Sequence, residues 1–341
     1  MINKKAFEIQ FNWIFVLIAG AAILLFFSAV IVKQKNASEA STRASALKDI
    51  ESIITGPSVS TDTTKLIDIP SSNIEIGCNR ISLGKVSKQY QSLILFAPSL
   101  IKGNKLITQT LTLNIPYRAT NLLYVTSPQV RYIIIGDNNL AKEINKSLPS
   151  QTAKEHFLLY DSSKIKYFSN YKIRFVFANV NLPSTIPNSL IKIPNNDMSA
   201  VKISGDNKKG TIEFFQKSGN SFLPAGSSSY IGISSLLGAI YADALESYEC
   251  SMANAFARHK LVTRIYKGKT NGLINTPSIK SDCNNVYKDA RGNLNTIEDK
   301  SANIETSQHL DLTSINEIER ASRELSDKNK DIQKFSCPLI Y

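Results

Sequence analysis

The chain has 341 residues, 43% of them hydrophobic and 20% charged, with a formal net charge of +12. This is ordinary globular composition, and the lysines are spread along the chain and not gathered beside aromatics, so the basicity does not describe a nucleic-acid groove. It fits attraction to anionic lipid headgroups or acidic surface polymers.

The first predicted element is the most informative. Phe11 to Val32 carries no charge, and a helix of that length spans about 33 Å, matching the roughly 30 Å hydrocarbon core of a bilayer. Only Asn12 and Ser28 interrupt the run, so it lacks the polar face of a helix packed in a soluble core. It is too long for a cleaved signal, and the nearest A-x-A pattern, Ala44 to Ala46, lies too far beyond it. Residues 1–10 then form a cytoplasmic N-terminus and 11–32 a transmembrane helix in the lipid bilayer. Lys4 and Lys5 nearly balance Lys33 and Lys35, so flanking charge barely sets orientation. Four cysteines (Cys78, Cys250, Cys283, Cys337) and two glycosylation acceptor patterns at Asn36 and Asn145 all follow the span, which places the large C-terminal domain outside the cytoplasm.

Ala37, Ala40, Ala44, Leu47, Ile50 and Ile54 recur at helical spacing, predicting a stalk over 33–56 that Gly56-Pro57 ends. Residues 57–64 read as a flexible linker. The stretch from Lys4 to Phe15, with Tyr248-Glu249-Cys250 and the terminal Ser336-Cys337-Pro338-Leu339-Ile340-Tyr341, resembles an uncharacterised family of archaeal single-pass membrane proteins, which implies no activity. More distantly, a basic pair, an acidic residue ahead of the apolar run and a long helix beyond it resemble the N-terminus of type IV pilins. Taken alone, Glu8 reads as a solvated interfacial charge; the pilin resemblance implies instead that it neutralises a neighbouring subunit's amine, with self-assembly or protein partners along the N-terminal helix.

Residues 65–232 read as a mixed-sheet α/β domain. Strands are expected at Ile74–Ile76, Leu93–Phe96, Lys105–Ile115 and Leu122–Val125, punctuated by Pro98, Gly103, Pro116 and Pro128. Short apolar runs at Tyr132–Ile135, Phe157–Tyr160 and Ile173–Phe177, with a helix expected after each of the first two, predict a parallel βαβαβ unit. Ile191–Ile193, Ala200–Ile203 and Thr211–Phe215 could extend the sheet. Residues 233–341 read as helical: one amphipathic helix of about seven turns from Ile233 to His259, a second near Val286 to Ile304, and a third entered by a capping box at Ser314-Ile315-Asn316-Glu317. Residues 267–285 are the longest expected loop. The whole is an α/β chain (α+β overall), with C-terminal helices packed on a small mixed sheet. The expected disulfides are Cys250 with Cys283 and Cys78 with Cys337.

A ligand on an open parallel sheet binds beyond the carboxyl ends of its strands. There the sequence places Asp137 and Asn138, Asp161 and Ser162, and Asn179 and Asn181. The same residue types cap helices, because their side-chain oxygens accept free backbone N–H groups. No G-x-G-x-x-G, Walker, H-E-x-x-H, C-x-x-C or G-x-S-x-G pattern is present, and His156, His259 and His309 lie far apart, so neither metal nor cofactor is expected. Ser82-x-x-Lys85 and Ser163-x-x-Lys166 match S-x-x-K, as chance provides in a chain rich in both residues. His259 falls in the core stripe and reads as structural. The expectation is a membrane-tethered binding, scaffold or assembly protein; the alternative is a membrane-bound hydrolase or transferase acting at Asp137 and Asp161.

Overall fold

A computed structural model describes residues 4–59, 62–90, 93–276 and 281–341, apart from the side chains of 4–12, 36, 39, 40, 43, 46, 49–59 and 70–72. Helix α1 (Lys4–Val59) runs unbroken through the apolar segment and the stalk. Trp13–Lys35 is long and apolar enough to cross a membrane, and none of it is buried. Farther along, Leu47 is 3% exposed and sits in a core with Ile74, Ile81, Leu106 and Val125. The expected stripe is narrower than predicted, since Ala37 and Ala44 face solvent; Ala40, Ile50 and Ile54 lie outside the described side chains. Gly56 and Pro57 fall inside the last turn, and the linker expected at 57–64 is largely taken up by the ends of α1 and the first strand. Pro57 has no N–H to give the carbonyl four residues back, so the ladder loses a bond there and the helix ends two residues later.

Two six-stranded sheets follow, where the sequence suggested one small sheet. The first comprises β1 (Thr63–Gly77), β2 (Arg80–Leu83), β3 (Val86–Gln89), β4 (Leu95–Phe96), β5 (Leu100–Asn114) and β6 (Arg118–Thr126), ordered β3-β2-β1-β5-β6-β4. Its pairings are antiparallel except that of β4 with β6. Alternation along β6 divides its faces: Leu123 and Val125 join the core under α1, whereas Leu122 and Tyr124 join the main core.

The second sheet comprises β7 (Val130–Ile135), β8 (Ala153–Phe157), β9 (Lys172–Ala178), β10 (Met198–Gly205), β11 (Lys209–Ser218) and β12 (Ser221–Ile231), ordered β12-β11-β10-β9-β7-β8. β8, β7, β9 and β10 are mutually parallel. β7, α2 (Asn139–Ser147) and β8 form the first crossover as expected. The second crossover has no helix: Asp161 to Lys164 forms a turn. β8 ends at Phe157, leaving Leu158 and Leu159 exposed, because its register pairs Phe157 with Ile135 at the end of β7. Ile191–Ile193 is not a strand. It lies between two 3₁₀ turns, Asn188–Leu190 and Asn195–Asp197, in a segment where Pro187 and Pro194 lack the N–H a ladder needs.

The long C-terminal helix divides into α3 (Gly232–Tyr241) and α4 (Leu245–Ile274). α3 is apolar nearly all round and contacts both sheets, as a fully buried helix should. At Gly238 a Cβ would stand 2.8 Å from the Phe96 ring, so only glycine lets α3 approach β4 this closely. α5 (Ser281–Ser307) and α6 (Leu312–Lys334) complete the chain. α4 occupies part of the loop expected at 267–285, and residues 277–280 lie outside the described residues. The cap of α6 is Asp311, whose side chain accepts from Ser314 N, displacing the expected capping box. The main core joins both sheets to α2, α3, α4 and α6, while α5, α6 and the C-terminal tail share a second cluster around Tyr287, Leu294 and Leu325.

The disulfides join Cys78 to Cys250 and Cys283 to Cys337, correcting both expected pairings. α4 and α5 are antiparallel, since His259 bonds Ser301 while Lys267 bonds Glu298. Cys250 therefore lies near the start of α4, and Cys283 lies beside its far end, roughly 36 Å along the helix axis. Bridged cysteines require Cα atoms within about 7 Å. Cys250 instead meets the β1–β2 turn, with Cα atoms 5.9 Å apart.

Candidate functional site

The carboxyl ends of β7, β9 and β10 are adjacent. After β7 the chain enters α2, which packs Leu140, Ala141 and Ile144 into the main core; after β9 it packs Ile186, Leu190 and Ile193 against the opposite face of the sheet. Neighbouring parallel strands whose connections leave to opposite faces open a crevice between them. Here it has a volume of about 440 Å³ and is lined by Asn138, Leu140, Glu143, Asn179, Asp206 and Asn207, among others.

Backbone geometry built this crevice. Gly136 has φ +147°, and a Cβ there would lie 2.7 Å from Ala178 O. Asn138 Oδ1 accepts from Ala141 N at 2.9 Å, capping α2, while its Nδ2 donates to Ala178 O at 2.7 Å. Asn179 adopts φ +53°, a conformation that asparagine tolerates better than most residues. Its Nδ2 donates to Gly205 O and its Oδ1 accepts from Gly205 N, both at 2.9 Å. His156 Nε2 donates to Gly136 O at 2.8 Å. Asp206 Oδ1 accepts from Lys209 N and Lys208 N, which holds its carboxyl below the usual carboxylate range.

Of the sequence-predicted residues, Asn138 and Asn179 come together here. Asp137, Asp161 and Ser162 are not among the lining residues. Asp137 is exposed, 3.5 Å from Lys142 Nζ. Asp161 accepts from Ser163 Oγ at 2.7 Å and Ser163 N at 3.0 Å, bonds that lower its pKa, and Ser162 is exposed in the same turn. Glu8 belongs to α1, and its side chain lies outside the described residues. Among the described residues, no three His, Cys, Asp or Glu side chains converge as a metal site would require.

Sequence reasoning missed a second concentration of polar groups where the two sheets meet. Lys172, at the start of β9, pairs with Asp243, in the break between α3 and α4; both side chains are buried. Asp243 Oδ1 accepts from Ser99 N at 2.9 Å, its Oδ2 accepts from Ser99 Oγ at 2.8 Å, and its backbone oxygen accepts from Gln216 Nε2 at 2.9 Å. Burial alone would raise the Asp243 pKa, but the Lys172 charge and the bonds from Lys172 and Ser99 outweigh it and hold the group ionised. Both the Ser99 hydroxyl and the Lys172 ammonium donate to one carboxylate, so this is a clasp between sheets and not an activated nucleophile. The sequence did carry a signal: Lys172 and Arg174 alternate with apolar residues along β9, and Asp243 interrupts an otherwise apolar helical stripe.

The architecture is that of a two-sheet α/β protein with an N-terminal apolar helix and a C-terminal helical layer. Comparison with protein-family models, with curated proteins and with solved structures finds no match.

Proposed function

We propose that the chain is a single-pass membrane-anchored protein whose disulfide-bonded domain lies outside the cytoplasm and serves in binding or assembly. The supporting observation is the continuity of α1. Its unburied apolar segment ends at Lys35, and Leu47, about three turns later, is seated in the core of the first sheet. No break in the helix intervenes between the two. A long helix with an apolar first half and a second half packed across a largely antiparallel sheet also suits the pilin-like reading, in which Glu8 offsets a neighbour's amine and the protein assembles at the cell surface. The hydrolase alternative gains no support at the strand ends, where Asn138 and Asn179 are committed to backbone and Asp137 and Asp161 stay apart from the crevice.

Labelling intact cells with a membrane-impermeant maleimide tests sidedness. We expect no modification without reductant and modification of all four cysteines after it; thiols that label only after lysis would overturn the placement. Glu8→Gln is expected to abolish crosslinking between copies through α1, and unchanged crosslinking would remove the pilin-like role.

A further inference from the structure

A groove of about 380 Å³ opens at the amino ends of β9 and β10, the edge of the second sheet opposite the strand-end crevice. Its size falls in the roughly 300–1,000 Å³ range of small-molecule sites. Tyr167, Asn170 and Tyr171 come from the segment before β9; Ser189, Lys192 and Asp197 come from the segment before β10. Tyr167 is 57% exposed and its neighbour Phe168 is 52% exposed, unusual positions for two consecutive aromatics outside a membrane or interface.

The groove is fixed in shape. Phe168 stacks on the Arg131 guanidinium at 4.6 Å, and Arg131, itself buried, is held by Glu155 and by Lys166 O. Ser189 Oγ donates to Ile165 O at 2.7 Å, tying the two segments together across the buried Ile165 side chain. Tyr171 is held by its hydroxyl, which donates to Leu100 O at 3.2 Å and accepts from Lys102 N at 3.1 Å. Asn170 spends one amide hydrogen on Gln129 O, leaving its Oδ1 free to accept.

The geometry points to a binding site for a neutral carbohydrate. The two charged residues that line the groove, Lys192 and Asp197, oppose each other in sign, so its lining does not select for a strongly anionic or cationic ligand. An alkyl chain would leave the Asn170 Oδ1, the Lys192 ammonium and the Asp197 carboxylate desolvated, at a cost of about 1–3 kcal/mol for each group and more for the charged ones. A sugar ring meets both demands. Its apolar C–H face covers an exposed tyrosine ring, and its hydroxyls, each donor and acceptor at once, bond the amide, hydroxyl, ammonium and carboxylate around that ring. The strand-end crevice has the polar groups but no aromatic face, which is why the assignment falls on this groove.

The test uses the full chain in lipid nanodiscs, free of sugar-headed detergent, titrated with cellotetraose, chitotetraose and mannotetraose and followed by calorimetry. We expect saturable binding of at least one, weakened about tenfold or more by Tyr167→Ala and by Asp197→Ala. Both residues are surface groups, and an unchanged circular-dichroism spectrum and disulfide map would show each variant folded. No saturation by any of the three at about 10 mM, or binding kept within about twofold in both folded variants, would overturn the proposal. So would Tyr167-dependent capture of a proline-rich peptide in place of any sugar. The readout uses purified protein, so its failure is separable from failure of the membrane placement.

Discussion

Two buried polar side chains make separable predictions. His259 is fully buried; its Nε2 donates to Ile115 O at 2.6 Å and its Nδ1 accepts from Ser301 Oγ at 2.9 Å, as a neutral imidazole does. Burial lowers its pKa from 6.5 to about 4, the bond to Ile115 O opposing only part of that shift. The folded state therefore resists a proton that the unfolded chain accepts below 6.5. Stability from this group is complete above that pH, falls as pH drops toward 4, and amounts to about 3 kcal/mol in all at 1.36 kcal/mol per unit. Urea midpoints measured across this window are expected to slope in the wild type and to flatten in His259→Gln. Asp243 behaves with the same sign, since its folded pKa is also depressed: its contribution is present above the unfolded carboxyl range and lost on further acidification. Asp243→Ala strands the Lys172 ammonium and is expected to cost about 3–5 kcal/mol, whereas replacing both residues by apolar ones of similar volume recovers most of the loss. A double-variant cycle by chemical unfolding distinguishes these outcomes.

At the scale of elements, legibility followed periodicity. The membrane-length helix showed itself by an uncharged apolar run, and β5, β6, β7, β9 and the C-terminal helices, with α3 and α4 read as one, by a buried stripe or a continuous apolar run. Phe157–Tyr160 misled because an apolar run says nothing about register, and pairing with β7 puts the ladder at Ala153–Phe157 and the leucines in solvent. The break between α3 and α4 was invisible because the apolar spacing continues across it; what ends α3 is a carboxylate drawn to a lysine far away in sequence. Asn138 was legible as a helix cap, a role the sequence offers residues of its type at a strand end, whereas the closure of Asn179 on Gly205 shows only in the fold. The groove at Tyr167 had no local pattern, since its two walls precede different strands. The same scale carries a prediction for α1. Leu47 is its one described side chain in the sheet core, and Leu47→Ala is expected to cost about 2–5 kcal/mol of packing. Limited proteolysis of the full chain in nanodiscs should then cut residues 36–62 faster, and an unchanged digestion pattern would show that the stalk is held elsewhere.

At the scale of the molecule, the two disulfides divide the work of holding the domain together. Cys283–Cys337 closes a segment of 54 residues within the helical layer, fastening the tail to α5. Cys78–Cys250 spans 172 residues and ties the β1–β2 turn of the first sheet to α4. If a crosslink acts by restricting the unfolded chain, its effect grows with the logarithm of the loop it closes, giving upper values of about 5 kcal/mol for the longer loop and about 4 kcal/mol for the shorter. The longer bridge also joins elements that no short segment connects, so its loss frees the β1–β2 turn from the helical layer, whereas loss of the other frees only a terminus. Cys78→Ala/Cys250→Ala is accordingly expected to lower the unfolding midpoint more than Cys283→Ala/Cys337→Ala, each by a few kcal/mol in equilibrium terms. Thermal unfolding of both double variants beside the wild type measures the order directly. Equal midpoints in the first variant and the wild type would mean that packing and bonds such as Ser251 Oγ to Leu95 O and Asn254 Nδ2 to Asn79 Oδ1 hold sheet and helices together without the sulfur bridge.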